Sequence, residues 1–401
     1  MEIIYNSLFL LIFIILSIYL IFLLFSLIYF RKKIINNNKS IKKPFISIII
    51  PFYNEEKDIL ETLESLSKLT YNNIEILLIN DGSSDKSQKI VEKFIQNKDK
   101  FKLINNTKNI GKANSLNKGI KLAKGELIAC SDADTITDDN IFEKIIPYFD
   151  NKKVGAVVTS ILVKKQNNLI QKGIAVEYFL MLSIFQKIIS FYNSVFVTPG
   201  QFSVFRKDVL VKIKGFDPNN MAEDNEIAFR IQKAKYLIKS CLEAKVYTSV
   251  PDNFKELSVQ RKRWYFGAIQ TYFKHKNMMF KKQYSNFGII APITFFLIIL
   301  GLIFMILYLF KIIYNVINLF ISNYNFNVEE ILPKIFLIIV IFTIIVIFIT
   351  YSEHIFKRVK GKKLNLKFSG IIIFPTLFLI YQIYWAKAFW SYFRNKKIEW
   401  R

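Results

Sequence analysis

Two aspartates separated by one residue follow a largely hydrophobic run near the middle of the chain. Asp132 and Asp134 lie in the sequence C-S-D-A-D-T, directly after residues 126–130, which have the composition of a buried strand. A strand that ends in two carboxylates presents hard oxygen ligands at the edge of a sheet. Such ligands suit Mg²⁺ or Mn²⁺, which in turn hold phosphate oxygens. A plain acidic loop is the alternative interpretation, so the pair needs support from the rest of the chain.

Two further polar runs follow predicted strands in the same way. P-F-Y-N-E-E (51–56) follows an apolar strand predicted to end at Pro51, and N-D-G-S-S-D (80–85) follows the strand predicted over 74–79. Segments with helical spacing, at 55–69, 84–96 and 113–123, separate these strands. This alternation predicts an α/β fold with a doubly wound, mostly parallel sheet. Ligands of such sheets bind at the carboxyl ends of the strands, so the shared placement predicts a nucleotide site.

Charge and hydrophobicity are separated along the chain. The 401 residues are 52% hydrophobic, and 56 Lys and Arg against 31 Asp and Glu give a net charge of +25. The ends are strongly apolar and the middle is mixed, which indicates an integral membrane protein with a soluble domain between its spans. The basic residues are spread out and cluster at the ends of apolar spans, a pattern typical of membrane topology rather than of nucleic-acid binding. The two cysteines, Cys130 and Cys241, predict a reduced domain without a disulfide.

The first apolar segment predicts an uncleaved membrane helix. Residues 6–30 carry no charge over about 25 positions, more than the roughly 20 residues that cross a bilayer. A signal peptide would have a shorter apolar core and a small-residue cleavage site. Six basic residues between positions 31 and 43 follow, so the next domain is expected in the cytosol of a plasma-membrane protein. The predicted division is 1–43, a catalytic domain over 44–275, and a membrane region over 276–401.

Three further spans are expected in the carboxyl third, at 287–311, 334–351 and 368–393. The basic loop 352–367 is predicted to be cytosolic. Counting crossings then places the carboxyl terminus outside, although residues 394–401 are basic. A re-entrant or interfacial last segment, interrupted at Pro375, is therefore an open alternative.

The second half of the soluble domain contains two aromatic amphipathic helices. Residues 168–193 predict a helix lying at the membrane surface, and residues 254–274 predict a basic one that contains Q-R-K-R-W. Between them, T-P-G-Q (198–201) predicts a turn before a strand. Residues 222–230 predict a helix with acids at its amino end, where the dipole favours them.

Four signatures occur in one order: N-D-G-S (80–83), D-A-D (132–134), E-D (223–224) and Q-R-K-R-W (260–264). In this order the chain resembles the inverting family 2 glycosyltransferases with a membrane-embedded carboxyl region, the polysaccharide synthases of cellulose, hyaluronan and poly-N-acetylglucosamine. The last type is most similar, because P-x-x-N-E-E, N-x-G-K-A and a helix with G-x-x-x-E-Y also occur. The resemblance covers residues 44 to 275. It implies a GT-A fold, a nucleotide-sugar donor, commonly a UDP-sugar, and Mg²⁺ or Mn²⁺.

The resemblance, combined with side-chain chemistry, implies contacts to the donor. The donor-binding residues are Tyr53, Glu55 and Asp81 at the nucleoside, Lys112 and Asp132 at the diphosphate and ribose, and Asp134 as the direct metal ligand. The metal would neutralise charge as the nucleoside diphosphate leaves. The alternatives are an ordinary helix-terminal acid for Glu55, a tight turn for Asp81 and a solvated helix lysine for Lys112.

Asp224 is expected to be the general base that takes the proton from the acceptor hydroxyl. The transition state should be oxocarbenium-like. Glu223 is assigned to the acceptor side, and a helix cap is the alternative for either acid. The family usually has Thr before this pair, whereas Ala222 stands here. That difference puts a local side-chain hydrogen bond in doubt and leaves the base unaffected.

Gln260, Arg263 and Trp264 match the family's Q-x-x-R-W. Spacings of three and four place them on one helical face. Arg263 suits bidentate binding of a diphosphate, and Trp264 offers a flat surface on which an acceptor sugar can stack. An interfacial helix with Arg and Trp anchors is the alternative.

The leading hypothesis is a processive synthase that extends a polysaccharide and passes it through its own membrane region. A single-addition transferase that makes a glycolipid is the alternative enzyme, since ceramide glucosyltransferase-like enzymes also carry Q-x-x-R-W. A non-enzymatic channel or adaptor would be expected to lack at least one key acid, and all are present. The donor sugar is not readable from these motifs, and N-acetylglucosamine follows only from the resemblance. So few spans would require interfacial helices, an accessory subunit or a homo-oligomer to complete a channel.

Overall fold

The computed structural model describes residues 2–35, 39–321, 328–359 and 366–394. The strands between positions 46 and 248 form one eight-stranded sheet, in the order β3-β2-β1-β4-β7-β6-β8-β5. The strands are β1 (Ile46–Phe52), β2 (Ile74–Asn80), β3 (Phe101–Asn105), β4 (Leu127–Ser131), β5 (Ile136–Thr137), β6 (Val154–Val163), β7 (Phe202–Arg206) and β8 (Leu237–Thr248). The helices are α1 (Glu2–Tyr29), α2 (Ile59–Ser67), α3 (Ser87–Ile95), α4 (Lys112–Leu122), α5 (Ile141–Ile145), α6 (Leu169–Glu177), α7 (Gln186–Phe191), α8 (Lys207–Lys212), α9 (Glu223–Lys233), α10 (Phe254–Lys274), α11 (Phe287–Ile321), α12 (Val328–Lys357) and α13 (Phe368–Phe393).

The sheet is mixed, with one reversed strand at its centre. Strands β3, β2, β1 and β4 are parallel neighbours, while β7 runs antiparallel to both β4 and β6. All residues of β1, β2, β4 and β6 are buried, which explains their nearly continuous apolar sequences. This arrangement confirms the predicted α/β fold class of GT-A type, a doubly wound mixed sheet between apolar helices. Both cysteines are free and buried.

The first strand is longer than expected. It continues through Pro51 to Phe52, with Pro51 opposite Ile79 of β2. Its pairing with β4 stops at Ile49, opposite Cys130. Pro51 has no N–H to donate, and it is accommodated because β1 no longer pairs with β4 beyond Ile49. The prediction that the strand ends at Pro51 is therefore wrong.

The segment predicted to lie at the membrane surface is largely covered. Helices α6 and α7 are joined by a wide π-helical stretch, Tyr178–Phe185, into one helical segment. Within 169–191 only Leu169 and Met181 are exposed. The sheet covers one side of this segment and α13 packs against α6 on the other. A Cβ atom on Gly173 would lie 2.4 Å from Leu377 Cδ1, so the two helices approach closely.

Over the described residues, four helical segments are long and apolar enough to cross a membrane, judged by length and composition: 10–29, 169–191, 287–304 and 368–393. Three of them coincide with predicted spans, and the predicted span 334–351 lies inside α12. Helix α13 runs without a break through Pro375, so the expected interruption is absent from this helix. Residues 360–365 of the predicted basic loop, and the basic residues 395–401, lie outside the described residues.

Candidate active site

The loops that follow β1 and β2 are joined by hydrogen bonds. The Asn54 Oδ1 atom accepts a hydrogen bond from the Ser84 amide at 2.9 Å, and the Glu55 amide donates to Ser87 Oγ at 2.7 Å. These contacts hold residues 54 and 55 against the loop that follows β2, and α2 begins at Ile59, later than the predicted start at Glu55. Tyr53 and Glu55 are partly buried on this loop, and their nucleoside contacts stay predictions.

Asp81 supports the segment that leads into α4. Its side chain is buried, and its carboxylate accepts four hydrogen bonds at 2.9 to 3.0 Å, from Asn106 Nδ2, the Ile110 and Gly111 amides and Ser115 Oγ. Gly111 has a φ of +89°, a backbone conformation that favours glycine. Asp81 thereby positions the start of α4, where Lys112 is the first residue. Its predicted nucleoside contact remains untested.

Lys112 joins α4 to β4 and α9. Its Nζ atom lies 2.5 Å from Asp132 Oδ1 and 3.3 Å from Glu223 Oε1. Burial lowers the pKa of Lys112, but the Asp132 and Glu223 carboxylates outweigh that effect and raise it above its usual value. The ammonium group therefore stays charged, in a position where it can neutralise an anionic ligand.

Gly200 makes room for this ion pair, and the sequence reasoning missed it. A Cβ atom at this position would lie 2.6 Å from Lys112 Nζ and 3.3 Å from both Asp132 carboxylate oxygens. The only signal was T-P-G-Q, which predicted a turn without a ligand-facing role.

Asp224 lies at the amino end of α9 and lines one cavity together with Lys112, Gly200 and Glu223. Its backbone carbonyl accepts hydrogen bonds from the Thr198 amide at 3.0 Å and from Thr198 Oγ1 at 2.9 Å. The turn before β7 therefore fixes the backbone of the expected base, a second contribution that sequence reasoning missed.

The Asp224 carboxyl has an unusual proton affinity. Burial, and then the neighbouring Glu223 charge, raise its pKa to about 7, although Lys112 partly offsets them. A carboxylate whose pKa lies near neutral pH can accept a proton efficiently from a hydroxyl. Ala222 occupies the cap position of α9 and makes no side-chain hydrogen bond, whereas Asp224 Oδ1 accepts a hydrogen bond from the Asn225 amide in the first turn at 2.8 Å.

Asp134 is a second, partly buried carboxyl at this edge of the sheet. It accepts a hydrogen bond from Thr248 Oγ1, at the end of β8, at 3.2 Å. Burial, and then the Asp132 charge, raise the pKa of Asp134 to about 7. A cation placed against the two carboxylates would relieve this repulsion.

The donor set fits a divalent ion that a substrate helps to bind. In the part of the chain that the structure describes, no group of three or more His, Cys, Asp or Glu side chains could hold a metal alone. Mg²⁺ commonly uses only one or two carboxylates and takes further oxygens from a bound phosphate. Asp132 and Asp134 match that requirement.

The Q-R-K-R-W motif lies on α10, whose bounds match the predicted helix. Gln260, Arg263 and Trp264 are partly buried. The Trp264 ring lies 6.2 Å from the Tyr178 ring, measured between centroids. The predicted contacts of these three residues with diphosphate and acceptor are untested.

Helix α10 also packs directly on the turn that begins α9. A Cβ atom on Gly267 would lie 2.4 Å from the Ala222 nitrogen and 2.5 Å from Ala222 Cβ. Ala222, the small residue that stands where the family usually has Thr, therefore faces α10, which leaves little space for a larger side chain.

Part of the chain is similar to a known protein family. The profile of Glycosyl transferase family 2 matches residues 47–214, which include Asp81, Lys112, Asp132 and Asp134. Asp224 and the Q-R-K-R-W motif follow the matched residues.

Two relatives that have the same name each align with about half of this chain. The poly-beta-1,6-N-acetyl-D-glucosamine synthase of Staphylococcus epidermidis is 34% identical over 224 residues, and that of Staphylococcus aureus (strain COL) is 31% identical over 224 residues. Each alignment covers 56% of this chain and 54% of the relative. The chain thus spans about half the length of the relatives that it matches.

One solved structure is similar over nearly the whole chain. It is a mannosyltransferase from Pyrobaculum calidifontis in complex with GDP-Man and Mn²⁺, with a TM-score of 0.62 and 15% sequence identity. The superposition covers 96% of this chain and 99% of that chain. At this identity the likeness shows the fold, including helices that flank the sheet.

Proposed function

Residues 47–214 are a glycosyltransferase family 2 domain, and from that premise we propose that the chain transfers N-acetylglucosamine from UDP-N-acetylglucosamine to a growing polysaccharide. Transfer inverts the anomeric carbon and depends on a divalent metal ion. The observation that carries the proposal is that Asp224 and Lys112 line one cavity, while Lys112 is ion-paired with Asp132. The name shared by the relatives at 31% and 34% identity supports the choice of sugar and product.

Asp224 acts as the general base. Its carboxylate accepts the proton of the acceptor hydroxyl while that oxygen forms a bond to the anomeric carbon. On the opposite face the bond to the diphosphate oxygen breaks, and its electron pair leaves with UDP. A base with a pKa of about 7 suits this proton transfer at neutral pH.

The donor side stabilises the leaving diphosphate. Lys112 and Arg263 bind its oxygens, and Tyr53, Glu55 and Asp81 contact or position the nucleoside. Asp134, with Asp132 beside it, would hold Mg²⁺ or Mn²⁺, which supplies Lewis-acid stabilisation of the leaving group when bound.

The acceptor side is assigned to α9 and α10. Glu223, Gln260 and Trp264 orient the acceptor sugar, with Trp264 offering a ring face. We propose that the chain is a multi-pass protein of the plasma membrane with its catalytic domain in the cytosol, and the four long apolar helical segments support this. We propose that they also pass the product across the bilayer, alone, as a homo-oligomer or with an accessory subunit.

The decisive experiment uses the purified full chain in nanodiscs. It is incubated with UDP-N-acetylglucosamine and other UDP-sugars with Mg²⁺ or Mn²⁺, and both UDP release and product size are measured. Asp224→Asn tests the base, and Asp99→Asn is the matched control, because Asp99 is exposed on a loop outside the site. We expect a long polymer of β-linked N-acetylglucosamine that disappears in Asp224→Asn and persists in Asp99→Asn.

Other outcomes would change the assignment. A single sugar attached to an extracted lipid would establish the single-addition transferase instead of the synthase. UDP release that survives in Asp224→Asn would reject this residue as the base. A polymer made only from another UDP-sugar would retain the mechanism and replace the donor.

A further inference from the structure

A buried ion pair lies where α6, α10 and α13 meet. The Arg261 side chain is only 1% exposed, and its Nη2 atom lies 2.7 Å from Glu177 Oε2. The Tyr381 hydroxyl of α13 donates a hydrogen bond to the same carboxylate oxygen at 2.6 Å. One carboxylate therefore connects the motif helix to two other helices.

Aromatic contacts surround this pair and reinforce the same connection. The Arg261 guanidinium lies 4.5 Å from the Trp264 ring centroid and 4.8 Å from that of Tyr381. One residue past Trp264, the Tyr265 ring stacks on Trp385 of α13 at 4.3 Å with an interplanar angle of 13°. These planar contacts constrain how α10 can rotate against α13.

The pair is better suited to fixing an orientation than to increasing stability. Removing two charges from water is costly, and replacing both members of a buried pair with apolar residues is often neutral for stability. The planar guanidinium, in contrast, imposes a direction on its partner. The Arg261–Glu177 pair is therefore better explained by a role in orienting the helices than by a role in stability.

The geometry of α10 shows which groups depend on that orientation. Arg263 and Gly267 follow Gln260 by three and seven residues, so the three positions share one helical face. Gly267 packs on Ala222, directly before the Glu223-Asp224 pair. Arg261 is one residue, or about 100°, away from Gln260 around the helix. Fixing Arg261 therefore fixes the face that lies against the start of α9.

We propose that Arg261 is a positioning residue whose ion pair with Glu177, supported by Tyr381, sets the rotation of α10 and connects α13 to the site. Rotation of α10 would displace Arg263 and Trp264 relative to Asp224. This inference rests on the proposed function, because it assigns the acceptor and diphosphate contacts to the same helix face.

The test compares transfer with hydrolysis of the donor. Arg261→Met removes the charge, and the double variant Glu177→Leu with Arg261→Met removes both charges without leaving one unpaired. Lys262→Met is the matched control, since Lys262 is the next residue and faces a groove with Lys387 and Trp390. Sugar incorporated into product and total UDP released from UDP-N-acetylglucosamine are measured in nanodiscs.

We expect transfer to fall about 10- to 100-fold in both Arg261 variants, as for other small misplacements of reacting groups, while UDP release to water falls less. The ratio of transfer to UDP release should therefore fall, whereas a lower folded fraction would reduce both equally. Lys262→Met should keep the wild-type ratio. A wild-type ratio in the double variant would overturn the proposal.

A second measurement does not require activity. Hydrogen exchange of peptides from α10 and from residues 222–233 should be faster in the double variant than in wild type and Lys262→Met. Unchanged exchange in both segments would also overturn the positioning role. If wild type does not use UDP-N-acetylglucosamine, the proposed function fails, and hydrogen exchange still decides this inference.

Discussion

The Lys112 Nζ atom lies 2.5 Å from Asp132 Oδ1, an ion pair that connects the amino end of α4 to the carboxyl end of β4. Asp81 holds the backbone before Lys112, and Gly200 leaves the space in which the pair forms. The position of the Lys112 ammonium group is thus determined by three separate segments, which contain Asp81, Asp132 and Gly200.

Lys112→Met should weaken use of the donor. A hydrogen bond to a charged group contributes about 1.5–3 kcal/mol, so kcat/KM for the UDP-sugar should fall about 10- to 100-fold. The matched control is Lys121→Met, because Lys121 is exposed on the same helix. Steady-state UDP release measures both variants. Equal kcat/KM in Lys112→Met and wild type would argue against a diphosphate contact.

The rate should depend on pH through Asp224. Its pKa of about 7 means that the carboxyl becomes protonated below neutral pH, and a protonated carboxyl cannot accept the acceptor proton. We expect kcat/KM to fall about tenfold per pH unit below about pH 7 and to level off above it. Asp224→Asn should lose most of the rate and this acidic limb. A flat profile for wild type between about pH 5.5 and 8.5 would contradict the assignment.

Asp134→Asn should weaken binding of the divalent ion. Replacing the carboxylate with an amide removes the strongest oxygen ligand expected at the site. We expect the Mn²⁺ concentration for half-maximal UDP release to rise at least about tenfold. Direct Mn²⁺ binding by electron paramagnetic resonance, with UDP present, checks the same effect without turnover. Thr248→Val, which removes only the hydrogen bond to Asp134, should cause a smaller shift.

Gly200→Ala should displace Lys112 without unfolding the domain. The added Cβ would lie 2.6 Å from Lys112 Nζ, which is the movable end of a long side chain. We expect a several-fold higher donor KM and a melting temperature close to that of wild type. Gly301→Ala is the control, because the nearest atom to its added Cβ would be 3.9 Å away. A large loss of stability in Gly200→Ala would show that the backbone, and not Lys112, limits this position.

Glu226 should contribute to stability in a way that acid removes. It is fully buried beside Arg230, Lys274 and His275. Burial alone would raise its pKa, but His275 and Arg230 outweigh it and lower the pKa from 4.5 to about 2. Because the folded pKa is depressed, the stabilisation is present above pH 4.5 and is lost as pH falls from 4.5 toward 2.

Glu226→Gln should therefore destabilise the domain by about 3 kcal/mol at neutral pH, because it removes the carboxylate that faces Arg230 and Lys274. Thermal unfolding in detergent at pH 7.5 and pH 4 measures the change. The exposed Glu64→Gln serves as the control. Equal melting temperatures for Glu226→Gln and wild type would show that the network contributes little.

The sequence predicted the sheet well because its strands are buried on both faces. Val154–Val163 and the helix Phe254–Lys274 have the bounds that their composition indicated. The prediction was wrong for the start of α2, which begins at Ile59, after a loop whose Glu55 amide donates to Ser87, a residue distant in sequence. It was also incomplete for the segment 168–193, because composition does not reveal that α13 covers its second side.

Local motifs identified the acidic residues of the site but not the residues that hold them in place. Asp132, Asp134 and Asp224 could be chosen from type and spacing, whereas Thr198 and Thr248 reach Asp224 and Asp134 only through the folded sheet. The same limit applies to α10. Periodicity grouped Arg263 with Gln260, but only the packing of α6 and α13 shows that Arg261 is the buried arginine.

The contact between Gly267 and Ala222 makes these two positions a size-matched pair. A larger residue at either one would push α10 away from the turn that carries Asp224. Exchanging Ala222 for the threonine that the family usually carries therefore requires added space on the α10 side, where Gly267 has no side chain left to shorten. Attempts to alter acceptor choice by mutating this turn should vary both positions together.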